Sequence, residues 1–174
     1  IRGGAGDDTI DGGTGFDLLD LSDGSAGISF ILTNGSGNTN VKLSSIRLST
    51  ATGDTYTNME GVIGTQFNDS LTGSSGNDTL RGGAGDDTID GGPGGDRIDF
   101  SDATGGINFT LNQGTNSGGF WSTGVLPGLG TDSYRNIEGV FGTNFNDTLT
   151  GSSGNDVIRG NGGDDSINGG DGND

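Results

Sequence analysis

The fold of this chain is decided by residues 64–99, which read GTQFNDSLT, GSSGNDTLR, GGAGDDTID and GGPGGDRID as four consecutive nine-residue units. Each unit has glycine first and aspartate sixth, and the eighth residue is leucine or isoleucine. The same period runs through residues 3–20 and 142–174, and the last unit stops at its sixth residue. A fixed period of this kind indicates a repeat architecture in which each unit stacks on its neighbours.

Two places of the unit dominate the pattern. The sixth-place aspartates are Asp8, Asp17, Asp69, Asp78, Asp87, Asp96, Asp147, Asp156, Asp165 and Asp174. The eighth-place apolar residues are Ile10, Leu19, Leu71, Leu80, Ile89, Ile98, Leu149, Ile158 and Ile167. Glycines at the first, second and fourth places permit a tight six-residue turn, and the last three residues then form a short strand. Two units make one coil of 18 residues, so the pattern predicts an all-β solenoid of two parallel sheets with the eighth-place residues inside.

A longer repeat of 78 to 79 residues lies over the first one, because RGGAGDDTIDGG at 2–13 recurs at 81–92 and RGNGGDDSINGG follows at 159–170. We divide the chain into repeat blocks at 1–20, 55–99 and 133–174, separated by inserted segments at 21–54 and 100–132. The first and last blocks are expected to be truncated parts of a longer array.

The two inserts are related to each other. Their matching parts are DLSDGSAGISFIL at 20–32 and DFSDATGGINFTL at 99–111, and the alternating apolar residues predict one half-buried strand in each. The middles of the inserts, 33–53 and 112–131, are rich in Gly, Ser, Thr and Asn. They are expected to be loops or irregular coils.

Composition excludes several classes of function. The chain has 24 acidic residues against seven basic ones and a net charge of −17, so nucleic acid and anionic membranes would repel it. It has no cysteine and no histidine, which removes disulfides, thiolate or imidazole metal ligands and histidine acid–base chemistry. No apolar run is long enough to span a membrane. Since no nucleophile–base pair is present either, we expect that the chain is not an enzyme.

The spacing of the aspartates indicates an oxygen-liganded metal ion. Stacked coils bring sixth-place carboxylates about 5 Å apart, where each pair repels by roughly 3 kcal/mol at an effective dielectric near 20. A hard cation between the turns reverses the sign of this interaction. Six to eight carboxylate and carbonyl oxygens suit Ca²⁺ better than Mg²⁺, which is smaller and retains water. Several such sites together are expected to decide whether the chain folds.

The Gly-Gly-x-Gly-x-Asp-x-(Leu/Ile)-x units, and GGAGDDTID above all, resemble the calcium-binding nonapeptides of the repeats-in-toxin (RTX) family. The resemblance implies a right-handed parallel β-roll with Ca²⁺ in the turns and export by type I secretion. It also implies that each ion lies between turns n and n+2. Its ligands are then the carbonyls of places two and four with the Asp of the earlier turn, and those of places one and three with the Asp of the later turn.

Transferred to this sequence, the family's ligand pattern implies four ion sites. The first two combine Thr65, Phe67 and Asp69 with Gly82, Ala84 and Asp87, and Ser74, Gly76 and Asp78 with Gly91, Pro93 and Asp96. The other two combine Thr143, Phe145 and Asp147 with Gly160, Gly162 and Asp165, and Ser152, Gly154 and Asp156 with Gly169, Asp171 and Asp174. Asp8 and Asp17 are metal ligands of the first block by the same pattern.

Extending the period backwards from the second and third blocks places Glu60 and Glu138 at sixth places, with Val62 and Val140 at core places. We therefore predict that each Asn-(Met/Ile)-Glu-Gly motif is a lead-in turn of the roll. The predicted ligand sets are Asn58 and Glu60 with Gly73, Ser75 and Asp78, and Asn136 and Glu138 with Gly151, Ser153 and Asp156.

Some units depart from the pattern. Phe67 and Phe145 stand where glycine is usual, and serine replaces glycine at 74, 75, 152 and 153. Because loss of glycine narrows the accessible turn conformations, the units beginning at 64 and 142 are expected to be looser or only partly occupied.

Two hypotheses of function remain open. The first is a calcium-binding structural module of a secreted or cell-surface protein, in an adhesin-like array, that folds on binding Ca²⁺ outside the cell. The second is a Ca²⁺-dependent module that binds extracellular polysaccharide and accompanies a secreted enzyme, with Phe120 and Trp121 as candidate sugar-stacking residues.

Overall fold

The computed structural model describes residues 1–4, 7–32, 41–42, 54–111 and 122–174, and every regular element within these ranges is a β-strand. One wall of the molecule is a continuous, parallel six-stranded sheet. In spatial order its strands are β2 (Leu18–Asp20), β6 (Gly61–Ile63), β8 (Thr79–Arg81), β10 (Arg97–Asp99), β14 (Gly139–Phe141) and β16 (Val157–Arg159).

The second wall consists of three separate sheets. The first has the order β1 (Thr9–Asp11), β5 (Thr55–Thr57) and β4 (Val41–Lys42). The second has the order β3 (Ser29–Ile31), β7 (Ser70–Thr72), β9 (Thr88–Asp90), β13 (Gly130–Arg135) and β12 (Ser122–Leu126). The third has the order β11 (Asn108–Thr110), β15 (Thr148–Thr150) and β17 (Ser166–Asn168).

The register of the parallel strands confirms the predicted coil. Leu71 lies opposite Ile89 on the second wall, and Val62 lies opposite Leu80 on the first. In both pairs the partners are two nine-residue units apart. Units n and n+2 therefore stack directly on one another, which is the arrangement of a parallel β-roll.

The core is built around the stack of eighth-place side chains and is completed by apolar residues of the inserts, such as Phe30 and Phe109. The prediction that Ile167 lies inside is wrong, because β17 is the edge strand of its sheet and Ile167 is 50% exposed. Leu19, Leu80, Ile89 and Leu149 have no solvent exposure, and Val62 and Val140 from the lead-in turns are equally buried. Burying one such side chain contributes about 1.5–3 kcal/mol relative to leaving it exposed. Each regular unit contributes one apolar side chain to this core, because successive residues of a strand point to opposite faces.

Each insert exchanges the order of two strands on the second wall. Strand β3 enters the first insert and pairs forward with β7, whereas β5 leaves that insert and pairs backward with β1. The second insert repeats the arrangement, since β11 pairs with β15 and β13 pairs with β9. Aromatic rings pack where these strands meet, with Phe30 against Tyr56 in the first insert. The inserts therefore hold consecutive repeat blocks together and also interrupt the second wall.

The expectation that 112–131 is a loop is wrong for residues 122–126 and 130–131, which are strand, whereas 127–129 form a turn. Strand β12 pairs antiparallel with β13, from Ser122 opposite Tyr134 to Leu126 opposite Gly130. The low strand propensity of this glycine-containing segment is overridden by strand pairing, because its partner β13 is itself paired with β9. In the first insert, Val41 and Lys42 also pair antiparallel, with β5. The remaining parts of the expected loops, 33–40, 43–53 and 112–121, lie outside the described residues, and so do Phe120 and Trp121.

Candidate metal centre

Five described turns, which we call glycine turns, begin with Gly-Gly or Gly-Asn and cover 12–17, 82–87, 91–96, 160–165 and 169–174; the sequence pattern of 3–8 is the same, but residues 5–6 lie outside the described ranges. In the 82–87 turn, φ is 95° at Gly83 and 123° at Gly85. Residues with a side chain rarely adopt such angles, and asparagine is one of the few that do. Asn161 accordingly takes the second place of the 160–165 turn with φ of 70°. Left-handed backbone at these places lets the chain reverse within six residues.

The four remaining six-residue turns, 64–69, 73–78, 142–147 and 151–156, have Ser or Thr at the second place, and we call them hydroxyl turns. The Ser74 N–H and hydroxyl both donate to Oδ2 of Asp78, at 2.6 and 2.7 Å, and the hydroxyl accepts the N–H of Gly76 at 3.0 Å. The turns beginning at 64, 142 and 151 have equivalent bonds around their own second residues. The expectation that the turns at 64 and 142 are looser is therefore wrong, because a side-chain hydroxyl closes each of them.

Backbone–carboxylate hydrogen bonds connect the turns of successive layers. The N–H of Asp69 donates to Oδ1 of Asp87 at 2.8 Å, and the N–H of Asp78 donates to Oδ1 of Asp96 at 2.8 Å. The third block repeats this bond from Asp147 to Asp165 and from Asp156 to Asp174, at 3.0 Å each. Sixth-place carboxylates are therefore aligned in rows along the roll, as the period predicts.

The four predicted ion sites each combine one hydroxyl turn with the glycine turn of the next layer, and the structure brings both halves together. A Cβ atom added to Gly64 would collide with the carbonyl oxygen of Gly82 and with Oδ2 of Asp69. The same two kinds of oxygen surround the first-place glycines of the other three hydroxyl turns, at 73, 142 and 151. A carboxylate and a carbonyl thus converge at each first place, where only glycine leaves room for them.

Within the part of the chain that the structure describes, four buried carboxylate oxygens have no hydrogen-bond partner, and all belong to sixth-place residues: Oδ2 of Asp8, Oδ1 of Asp78, Oδ2 of Asp87 and Oδ2 of Asp96. Asp78 and Asp96 have no solvent exposure, and Asp87 is almost as buried. An unpartnered buried charge is costly, and in proteins such groups are paired or coordinate metal ions. Carboxylate and carbonyl oxygens are the ligands that Ca²⁺ prefers, so these residues fit the ion.

Burial also changes the proton affinity of these carboxyls. It raises the pKa of Asp87 to about 8 and that of Asp96 to about 7. Hydrogen bonds from the N–H groups of Asp69 and Asp78 oppose the shift, while the neighbouring carboxylates add to it. A bound divalent cation would favour the ionised form of both groups.

The lead-in turns differ from the prediction in one respect. Glu60 and Glu138 do occupy sixth places, since Oε2 of Glu60 accepts the N–H of Asp17 at 3.0 Å and Oε2 of Glu138 accepts that of Asp96 at 2.9 Å. Only three residues, 58–60, separate β5 from β6. Asn58 has φ of 53°, and its carbonyl oxygen lies against Gly12 in the preceding layer.

The structure therefore does not direct the Asn58 carbonyl towards the 73–78 turn, which contradicts its place in the predicted ligand set Asn58, Glu60, Gly73, Ser75 and Asp78. Asn136, with φ of 54°, likewise places its carbonyl against Gly91 and not against the 151–156 turn. The physical reason is the missing half of the turn. In the three-residue connection the Asn58 carbonyl takes the position that a first-place carbonyl takes in a six-residue turn, since the Gly82 carbonyl likewise lies against the first-place glycine of the preceding layer.

Sequence reasoning missed the role of the ninth-place aspartates. Oδ1 of Asp99 accepts the N–H of Ser101 at 2.9 Å, so this side chain caps the turn that follows it. Its other oxygen pairs with Arg81 of the preceding layer, and Arg81 also donates to the Ser101 hydroxyl at 2.7 Å. Arg2 and Asp20 repeat the pair in the first block. These aspartates stabilise the turns that follow them. The available signal in the sequence was an aspartate two residues before the residue whose N–H it caps, as in Asp99 and Ser101.

Asp54 and Asp132 were also missed. Oδ1 of Asp54 accepts the N–H of Asp8 at 2.7 Å, and Oδ1 of Asp132 accepts that of Asp87 at 2.8 Å, so both occupy sixth places. Their Oδ2 atoms accept hydrogen bonds from Tyr56 and Tyr134, the buried aromatic residues two positions later. The available signal was an Asp-x-Tyr motif at the same distance before each lead-in glutamate, in DTYTNME at 54–60 and DSYRNIE at 132–138.

Within the described ranges, no group of three or more acidic side chains comes together as a metal site. This agrees with the donor set that the turns offer, in which two carboxylates at most are supplemented by backbone carbonyls. The arrangement defines the class of protein, a calcium-binding parallel β-roll.

Comparison with known proteins agrees with the geometry. The family model for the RTX calcium-binding nonapeptide repeat matches four copies, over residues 1–19, 63–98 and 141–174, slightly more than half of the chain. The chain belongs to this family, and it binds Ca²⁺ at several sites. No curated protein matches it. Among the described residues, no helix has the length and apolar character needed to cross a membrane.

Proposed function

We propose that this chain is a non-catalytic structural module of a secreted or cell-surface protein, which remains unfolded at low Ca²⁺ and folds when it meets Ca²⁺ outside the cell. The observation that carries the proposal is the set of buried sixth-place carboxylate oxygens without a partner, at Asp8, Asp78, Asp87 and Asp96. Without metal they oppose folding, and with metal they become ligands.

The energetics support a switch of this kind. Each occupied site adds about 1.4 kcal/mol to folding when free Ca²⁺ stands at ten times the site dissociation constant. Domains are stabilised by only about 5–15 kcal/mol in total. Four sites therefore supply an amount comparable with the whole stability of a domain, so a change in Ca²⁺ concentration is sufficient to fold or unfold the chain.

The proposed ligand sets are those in which a hydroxyl turn faces a glycine turn. They join 64–69 with 82–87, 73–78 with 91–96, 142–147 with 160–165, and 151–156 with 169–174. In each set the carboxylates are the two sixth-place aspartates, and the remaining ligands are backbone carbonyls. Export by type I secretion belongs to the same proposal, because it suits a chain that stays unfolded until it reaches Ca²⁺. The repeat of 78 to 79 residues supports a place in an adhesin-like array.

The direct test is far-ultraviolet circular dichroism during a Ca²⁺ titration, with calorimetry for the number of ions. We expect a cooperative change from coil to β-structure with Ca²⁺. An equal concentration of Mg²⁺ is the matched control and should have little effect, because Mg²⁺ retains its water. A fully formed β-spectrum in excess chelator at pH 8, where the buried carboxyls lose their protons, would disprove calcium-dependent folding.

The second candidate, a Ca²⁺-dependent polysaccharide-binding module, is favoured by one observation. Phe67 and Phe145 are exposed at the same place of the two large repeats, and Phe16 is exposed in the first block. Aromatic rings of this kind can stack on sugar rings. Glycan-array binding in Ca²⁺ that is lost in a Phe67→Ala, Phe145→Ala double variant would support this role, and no binding by the folded wild type would eliminate it.

A further inference from the structure

Residues 127–135, PGLGTDSYR, form a further repeat unit that the family model does not match. Asp132 lies at its sixth place and the buried Tyr134 at its eighth, where Tyr134 is opposite Ile89 of the 82–90 unit. The φ angles are 81° at Gly128 and 103° at Gly130, so the second and fourth places are left-handed as in the glycine turns. The unit is hidden in sequence because proline replaces the first glycine and tyrosine replaces leucine.

The 127–132 turn stacks on the 82–87 turn by the contacts that join other layers. The N–H of Asp87 donates to Oδ1 of Asp132 at 2.8 Å, as that of Asp69 does to Asp87. At the fifth place, the N–H of Thr131 donates to Oδ1 of Asp86 at 2.9 Å, a bond equivalent to that between Asp86 and Asn68. A Cβ at Gly130 would collide with the carbonyl oxygen of Gly85. The second half of the turn is therefore a regular layer of the roll.

An unpartnered oxygen lies at this junction. Asp87 is 1% exposed, and its Oδ2 has no hydrogen-bond partner, although Oδ1 is used by the layer below. Asp132 is 2% exposed and lies in the layer above. Two buried carboxylates in successive layers, one of them with a free oxygen, require a cation between them or a proton on one of them.

We propose that the 82–87 and 127–132 turns hold an additional Ca²⁺ whose ligands include Asp87, Asp132 and the carbonyl oxygens of Gly85 and Leu129. The Leu129 carbonyl is directed towards the lower turn, because it accepts the N–H of Gly85 at 3.0 Å. Hydrogen bonds to Asp132 and Leu129 do not prevent ligation, since each carboxylate or carbonyl oxygen has two lone pairs. This proposal rests on the proposed calcium-dependent function of the regular turns.

The site differs from the regular ones in the first half of its upper turn. The carbonyl oxygen of Pro127 accepts the N–H of Thr104 at 2.9 Å, and Gly128 packs against the Thr104 side chain. Pro127 is thus held against the bend at Thr104, earlier in the same insert. With fewer carbonyls available than at a regular site, this ion binds more weakly and is the first to leave as Ca²⁺ falls.

The test is the number of bound ions, measured by native mass spectrometry of the full chain in a Ca²⁺ series. Asp132→Asn keeps the shape and the oxygen that accepts the Asp87 N–H, and its amide can donate to the Tyr134 hydroxyl oxygen in place of accepting from it. Because the variant removes the charge, we expect it to bind one ion fewer than the wild type. Asp86→Asn is the matched control, since it removes one charge from the same layer. Asparagine already serves at the equivalent Asn68, so this variant should bind as many ions as the wild type.

The outcomes separate this proposal from the general one. Absence of any Ca²⁺ binding by the wild type would refute the proposed function as a whole. Equal ion counts for the wild type and Asp132→Asn, or an equal loss in Asp86→Asn, would overturn the additional site alone. If Asp132→Asn does not fold in Ca²⁺, anomalous diffraction from wild-type crystals decides: a calcium peak between Asp87 and Asp132 supports the site, and its absence overturns it.

Discussion

Replacing Ser74 with alanine tests whether the hydroxyl turns are built as the structure shows. The hydroxyl donates to the buried Asp78 carboxylate at 2.7 Å and accepts the N–H of Gly76 at 3.0 Å. A hydrogen bond to a charged group contributes about 1.5–3 kcal/mol, and one between neutral groups about 1 kcal/mol. Ser74 is 7% exposed, so water cannot replace either bond, and we expect Ser74→Ala to lose about 3 kcal/mol of the free energy of unfolding.

The assay is guanidinium unfolding at saturating Ca²⁺, followed by circular dichroism. Ser152 has the same bonds in the last described coil but is only half-buried, so Ser152→Ala should lose about half as much. Ser75→Ala is the control, because Ser75 is exposed and surface substitutions usually change stability by no more than about 0.5 kcal/mol. Equal stabilities of Ser74→Ala and Ser75→Ala would refute the role assigned to the hydroxyl.

Three further predictions concern charge and packing. Burial raises the pKa values of Asp87 and Asp96 above those in the unfolded chain, so metal-free protein binds more protons when folded. The resulting contribution to the stability of the metal-free protein is present near pH 4 and is lost as the pH rises towards 7 to 8. It amounts to about 1.4 kcal/mol for each carboxyl and each unit by which its pKa is raised. Circular dichroism in chelator that showed more β-structure at pH 8 than at pH 5 would contradict this. Phe100→Leu, which installs the residue found at Leu21 in the first repeat, should cost about 1–2 kcal/mol in thermal unfolding, because Phe100 packs at 4.9 Å from one ring and 5.5 Å from another. Arg135→Thr removes the ion pair with Asp90 but matches the first repeat, so it should cost no more than about 1 kcal/mol; a larger loss would show that the second insert depends on this pair.

The sequence predicted those residues of the metal site whose positions follow from the nine-residue period. Asp87 and Gly82 are assigned by the sequence alone, because the phase that fixes them is shared by nine other units. Glu60 and Val62 follow from the same phase. The direction of the Asn58 carbonyl does not, since it depends on a three-residue connection whose length appears only when β5 is paired with β1.

The unit at 127–135 shows a second limit. Its glycines and Asp132 match the period, but the segment is 45 residues from the unit on which it stacks, and nothing in the intervening composition reveals that separation. The role of the serine and threonine residues in the hydroxyl turns was also missed. Reading them as lost glycines predicted looseness, whereas the hydroxyls close the turns on Asp69, Asp78, Asp147 and Asp156.

By itself the sequence determined the coil of 18 residues, the inward leucines and isoleucines, and the rows of aspartates, because each of these follows from local periodicity and the two-sided geometry of a strand. Only the tertiary structure decided the order of the strands at each insert and which carboxylate oxygens remain without a partner. The physical reason is that the strand order depends on contacts between residues 40 or more positions apart. The partners of each carboxylate depend in turn on the exact placement of neighbouring layers, which no local pattern encodes.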